Sequence, residues 1–138
     1  MNELDITIEQ LKIDEGLSLT PYLDTEQILT IGYGRNLEHN GISQQEAEIL
    51  LRNDLKVAMK DAIQFVTPEV WEDLTPTRRS VIINMAFNLG LPRLSHFTKL
   101  RQAIHDRDYH EAARQMLDSR WSRQVGDRSL RLADSMRG

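Results

Sequence analysis

The rhythm of hydrophobic and polar positions changes along the chain, and each change predicts an element. Leu4, Ile8, Leu11 and Glu15 follow the i, i+4, i+7, i+11 spacing of one helix face. Thr7-x-x-Gln10 has the form of a capping box, so a first helix is expected over 8–15. Gly16 stands where helices commonly end in a left-handed residue. Across 22–34 the period drops to two. Asp24 opens a polar turn, and Ile28 to Gly34 reads as a strand. Ile28, Thr30 and Gly32 point one way; Leu29, Ile31 and Tyr33 point the other.

After Gly41 the pattern is helical. Ser43-x-x-Glu46 is a second capping box, opening a long amphipathic helix with Ala47, Leu50, Leu51, Leu55, Ala58 and Ala62 on its inner side. Thr75-Pro76 is an N-cap followed by proline at the first helical position, and Gly90 closes that helix. Val81, Ile82, Ile83, Met85, Ala86, Phe87 and Leu89 make it apolar on nearly every side, which predicts a central helix. Its polar exceptions, Ser80, Asn84 and Asn88, form one stripe. Asn84 is read as internally hydrogen-bonded to neighbouring backbone, and Asn88, nearer the helix end, as part of a cleft floor. Further helices are expected over 95–105, 108–117 and 128–136, with Asp108-x-x-Glu111 a third capping box. The resulting class is α+β and predominantly α: a hairpin lobe at about 16–42, joined by the long helix to a helical lobe of 1–15 and 43–138, all in one domain.

Composition narrows the function classes. At 138 residues the chain has the length of one domain with a real core. No apolar run approaches a membrane span, so stable membrane insertion is not expected. The acidic start Met1 to Ile6 lacks the basic-then-apolar order of a secretion signal, which places synthesis in the cytoplasm. Without cysteine there is no disulfide, zinc thiolate or thiol nucleophile, and His39, His96, His105 and His110 have no ligand-like spacing. Neither metal nor cofactor is expected. Residues 1–69 hold five basic and thirteen acidic residues, a net −8; residues 70–138 hold twelve and eight, a net +4. Those basic residues, eleven of them arginine, could face an anionic polymer, but most are read as solvated helix surface. The overall net charge of −4 and the apolar character of the helices over 80–105 argue against nucleic acid.

The chemistry concentrates in Glu15, Asp24 and Thr30. A helix end, a turn and a strand deliver two carboxylates and a hydroxyl, a compact way to set an acid and a base on opposite sides of a bond. Glu15 lies on the apolar stripe and in the last helical turn. Desolvation and the helix dipole there both favour the protonated form that a general acid needs. Gly32, beside Thr30 on one face, is placed where a ligand could approach closely.

The ordered residues Glu15-Gly16-x-x-Leu19-x-x-Tyr22-x-Asp24-Thr25-Glu26 and Thr30-Ile31-Gly32-x-Gly34 resemble the phage-type lysozymes, endolysins and muramidases of glycoside hydrolase family 24. Asn40-Gly41-Ile42, Ile83-Asn84-Met85-x-Phe87-x-x-Gly90, Phe97-Thr98, Glu111-Ala112-Ala113 and Ser119-Arg120-Trp121 continue the resemblance over almost the whole chain. It implies hydrolysis of the β-1,4 link between N-acetylmuramic acid and N-acetylglucosamine in peptidoglycan, for lysis of a bacterial wall. By resemblance Glu15 is the general acid, Asp24 the partner carboxylate, and Thr30 the holder of the attacking water in an inverting arrangement. It also implies that Arg128 pairs with Glu15 and Arg131 with Asp14. Gly32, Phe87, Asn88 and Arg120 contact or flank the sugar cleft, Phe87 being equally readable as core. A monomer acting in the periplasm, reached through a holin or carried on a virion, completes the expectation. The alternatives are a lytic transglycosylase, which needs no second carboxylate, and a non-catalytic peptidoglycan-binding module.

Three departures from the family pattern stand out. Arg35 follows the second glycine where histidine is usual, which bears on a stabilising contact. The stretch between Gly34 and Gly41 is short, so a small helix of the hairpin lobe is expected to be missing. The end at Arg137-Gly138 is early for the family.

Overall fold

The first helix begins five residues earlier than the Thr7 capping box implied, in keeping with Leu4 on its apolar stripe. In a computed structural model describing all residues 1–138, α1 spans Glu3–Glu15. Asn2 caps it: its side-chain oxygen accepts from Asp5 N at 2.9 Å, and the Asp5 carboxylate accepts from Asn2 N at 3.4 Å. Thr7 is therefore interior, its hydroxyl donating to Glu3 O at 2.7 Å. The helix ends at Gly16 with φ 69°.

By Cα proximity the chain divides into two units, Met1–Ile49 and Leu50–Gly138, and α1 belongs to the first. The first unit carries an antiparallel sheet of β1 (Ser18–Leu23), β2 (Leu29–Gly32) and β3 (Arg35–Asn36), in that order. Tyr22 faces Thr30 and Leu23 faces Leu29 across the β1–β2 pair, with an irregularity between Ser18 and Tyr22. On the other side Thr30 faces Asn36 and Ile31 faces Arg35. The helix expected to be missing is present as one turn, α2 (Leu37–Asn40). Asn36 caps it by accepting from His39 N at 2.9 Å, which supplies enough local bonding for a single turn. Thr30 is the one buried residue of the unit. With no buried apolar side chain, the unit is organised by its ladder, its caps and its ion pairs.

The long helix α3 (Gln44–Val66) opens on the Ser43 capping box: Ser43 N donates to Glu46 Oε1 at 2.8 Å and Glu46 N to Ser43 Oγ at 3.1 Å. It starts in the first unit and ends in the second. Of the expected inner stripe only Ala58 and Ala62 are buried, joined by Phe65 and Val66 at the helix end; Ala47, Leu50, Leu51 and Leu55 are exposed. Periodicity reports an apolar face but not the supply of partners for it, and the core of the second unit gathers at the far end of this helix.

That core is helical. After α4 (Pro68–Asp73), α5 runs over Pro76–Leu94, with Thr75 Oγ1 accepting from Arg78 N at 3.2 Å. Gly90, non-helical at φ 76° and ψ 159°, closes the long first part of this span as expected, and a short second helical stretch follows beyond the kink. Val81, Ile82, Met85, Ala86, Leu89 and Leu94 are buried, whereas Phe87 is 45% exposed. The helices α6 (Thr98–His105), α7 (Tyr109–Leu117), α8 (Arg120–Val125) and α9 (Asp127–Arg137) complete the unit. α9 packs against α5, α7 and α8, and α7 against α6. No helix is long and apolar enough to cross a membrane.

Candidate active site

Glu15, Asp24 and Thr30 all lie in the first unit. Glu15 is the last residue of α1, directly before the helix-ending Gly16. It is exposed, and so are Leu4, Ile8 and Leu11 at 68%, 48% and 45%, so the desolvation implied by the apolar stripe is absent. The Glu15 carboxyl instead rests against the backbone of Gly34. A Cβ at Gly34 would stand 2.8 Å from Glu15 Oε2 and 3.0 Å from its Cδ.

Asp24 shapes the turn that carries it. Its Oδ1 accepts from Glu26 N at 2.8 Å and Ile28 N at 2.9 Å, while Asp24 N donates to Ile28 O and Gln27 N to Asp24 O. An aspartate that bonds amides two and four residues on is a turn former. Gln27 completes the turn at φ 64°. Both side-chain bonds fall on Oδ1, and Oδ2 takes part in neither. Thr30, 4% exposed, donates its hydroxyl proton to Ile28 O at 2.8 Å. With that proton committed, Oγ1 can meet a water only as an acceptor. Ile28 therefore ties the two residues together: its amide holds Asp24 and its carbonyl orients Thr30.

Gly32 sits at φ 69° with open space where a Cβ would stand. The Arg35 departure has a visible role. Its guanidinium donates to Glu46 Oε1 at 3.1 Å, to Glu46 Oε2 at 2.8 Å and to Gly41 O at 2.9 Å. The Ser43 amide, then its side chain, then Arg35 hold the Glu46 carboxyl below the usual carboxylate range.

The other expected site residues lie in the second unit. Asn84 is bonded to a side chain rather than to neighbouring backbone: its Oδ1 accepts from Arg128 Nε at 3.0 Å and Nη2 at 2.7 Å. Phe87, Asn84 and Arg128 line a shallow pocket of about 270 Å3 with Leu51, Leu55 and Ser80. Asn88 is exposed and accepts from Trp121 Nε1 at 2.8 Å. Arg120 lines a separate hollow of about 470 Å3 with Arg93, Lys99, Phe97 and Trp121. No group of three His, Asp or Glu side chains could hold a metal ion. Sequence reasoning missed the seat at Gly34 and the partner of Arg35. The Gly-x-Gly spacing signalled the first; nothing local signalled the second.

Comparison with known proteins identifies the family. The phage lysozyme family profile matches residues 12–134. Probable T4-type lysozyme 1 of Dictyostelium discoideum is 31% identical over 151 residues, covering 90% of this chain and 89% of its own. The endolysin of Bacillus phage B103 is 30% identical over 136 residues, covering 91% of this chain and 48% of that protein. The pre-baseplate central spike protein Gp5 of Enterobacteria phage T4 is 29% identical, covering 90% of this chain and 26% of that protein. With a helix-end glutamate, a turn aspartate and a strand threonine inside the matched span, the chain belongs to the phage lysozyme family and is a lysozyme, a hydrolase of peptidoglycan.

Proposed function

We propose that this lysozyme cleaves the β-1,4 bond between N-acetylmuramic acid and N-acetylglucosamine with inversion. Glu15 gives its proton to the glycosidic oxygen as the bond to the anomeric carbon breaks. Asp24 Oδ2 takes a proton from water as the water oxygen bonds to that carbon from the opposite face. Thr30 Oγ1 accepts the water's other hydrogen and so aims it. One water is consumed, and each product gains a hydroxyl. The observation that supports this division of labour is the shared residue Ile28, which commits Asp24 Oδ1 and the Thr30 proton to the turn. What remains is a base oxygen and an acceptor, the pair a nucleophilic water requires. Inverting glycosidases hold their carboxyl groups roughly 6.5–9.5 Å apart to admit that water. Arg128 enters as catalytic support for Glu15, and Gly32, Phe87, Asn88 and Arg120 as sugar-contacting residues, on the strength of the family resemblance.

Product stereochemistry tests the reading. Purified peptidoglycan digested in the NMR tube is expected to show the α anomer of the new muramic acid end first, before mutarotation. A β anomer appearing first would reject inversion, and a 1,6-anhydro end would replace the hydrolase by a transglycosylase. The biological role we propose is wall lysis by a monomer that reaches the periplasm through a holin lesion or on a virion. Purified protein should then clear permeabilised Gram-negative cells, and cells making it internally should keep their turbidity until the inner membrane is opened.

A further inference from the structure

We propose that Gly34 is a positioning residue whose bare Cα is the seat of the Glu15 carboxyl. The inference rests on the reading of Glu15 as the general acid. All seven glycines of the chain have positive φ, so backbone conformation alone does not distinguish Gly34. Its surroundings do. Gly16, Gly32, Gly41 and Gly126 have nothing within 4 Å of an added Cβ, and Gly90 meets only Pro92 Cδ at 3.9 Å. Gly138, at the chain end, meets the flexible guanidinium of Arg78. At Gly34 an added Cβ would meet the Glu15 side chain at 2.8 Å from Oε2, 3.0 Å from Cδ and 3.3 Å from Cγ.

The backbone that presents Gly34 is held on both sides. Ile31 pairs with Arg35 and Thr30 with Asn36, and the Arg35 guanidinium is fixed to Glu46 and to Gly41 O. Lys12, one turn before Glu15, lies 5.8 Å from the centroid of the Tyr33 ring, tying α1 to the residue before Gly34. A new methyl at 34 therefore displaces the more mobile partner, the Glu15 carboxyl. Rotating an exposed glutamate costs the fold little. It costs an acid its alignment, and a misplacement of about 1 Å lowers turnover on the order of a hundredfold. The absence of a side chain at 34 is what lets the acid lie flat against the sheet and face the bond.

The experiment compares Gly34→Ala with Gly41→Ala, Glu15→Gln and the pair Glu15→Ala and Glu15→Ala/Gly34→Ala. Gly41 shares the left-handed φ, at +55°, but has empty space around it, so its variant measures backbone strain alone. Gly34→Ala is expected to lose turnover by about a hundredfold with KM little changed, and to shift the alkaline limb of the pH–rate curve, the limb that a general acid sets as it loses its proton. Gly41→Ala should lose comparable melting temperature yet keep turnover within about twofold. Equal turnover losses in the two glycine variants, or an active Gly34→Ala beside an inactive Glu15→Gln, overturn the proposal. A Glu15→Gln protein retaining more than about a tenth of its activity overturns the acid assignment instead. Should Gly34→Ala fold poorly, the double variant decides. Glu15→Ala removes the three atoms nearest the methyl, so the stability loss from Gly34→Ala in that background should fall to that of Gly41→Ala. An undiminished loss means that Glu15 is not what Gly34 accommodates.

Discussion

Replacing Asp24 by Asn keeps an oxygen where Glu26 N and Ile28 N donate, while Ala leaves both amides without their acceptor. The two substitutions therefore separate the turn from the chemistry. Asp24→Asn is expected to melt close to wild type and to lose turnover by roughly two to four orders of magnitude, the usual worth of a general base. Asp24→Ala should lose the same activity and, in addition, melt lower because the turn at 24–28 is loosened. Thermal melts beside initial rates on purified sacculi make the comparison. An active Asn variant would show that the carboxylate serves only the turn, and an Asn variant as unstable as Ala would show that the turn needs the charge and not only the oxygen.

Among the elements, the segment from β3 to the start of α3 depends on charge. Arg35 reaches both oxygens of Glu46 and the Gly41 carbonyl, closing the α2 turn against the N-terminus of α3. Since the folded Glu46 titrates below its ordinary value near 4.5, its contribution is fully present above that value and is lost as pH falls through the lowered one. Glu46→Gln should lower the melting temperature at pH 7, and the gap to wild type should close in acid, below the ordinary glutamate range. A gap that persists unchanged there would assign the effect to the cap geometry rather than the charge. How far such elements can be read from sequence follows from the range of their chemistry. The Ser43-x-x-Glu46 and Thr75-Pro76 starts were legible because a cap involves residues three apart. Asp108 does accept from Glu111 N, but the Glu111 carboxylate turns forward to Arg114 and Gln115, which hold it down at about 2. Thr7 matched the same pattern and misled, since the Asn2–Asp5 box caps five residues earlier. The six-residue helices α4 and α8 are too short to show a period, although Pro68 and Ser119 mark their starts. The spacing of Glu15, Asp24 and Thr30 was legible, whereas the approach of Gly34 to Glu15 depends on how α1 returns to the sheet.

For the whole molecule, the arginines of the second half serve the fold more than solvated surface would imply. Arg78 donates to Met136 O at 2.7 Å and Arg137 O at 2.8 Å, Arg79 to Trp71 O at 2.9 Å, and Arg101 to Phe65 O at 2.8 Å. These carbonyls belong to the last turns of α9, α4 and α3, where helices leave acceptors unpaired. Arg107, Arg114 and Arg137 pair with Asp73, Glu111 and Asp134, and Arg128 holds Asn84. Arg93, Arg120, Arg123 and Arg131 take no part in an ion pair, and the first two line the 470 Å3 hollow with Lys99. The basic excess thus divides into helix tethers and cations outside any ion pair. Peptidoglycan peptides carry free carboxylates, so the second group should act through charge. Arg78→Ala is expected to lose about 1–3 kcal/mol of stability, since it removes two carbonyl bonds and the guanidinium stacked 3.7 Å from the Tyr109 centroid, without altering how salt affects binding. Arg120→Ala should melt like wild type yet bind sacculi more weakly at low salt. Its deficit should vanish near 1 M salt, where the screening length shrinks to about 3 Å. Sedimentation with sacculi at the two salt concentrations, alongside melting curves, checks both. A deficit in Arg120→Ala that is equal at the two concentrations would make its contribution one of shape rather than charge.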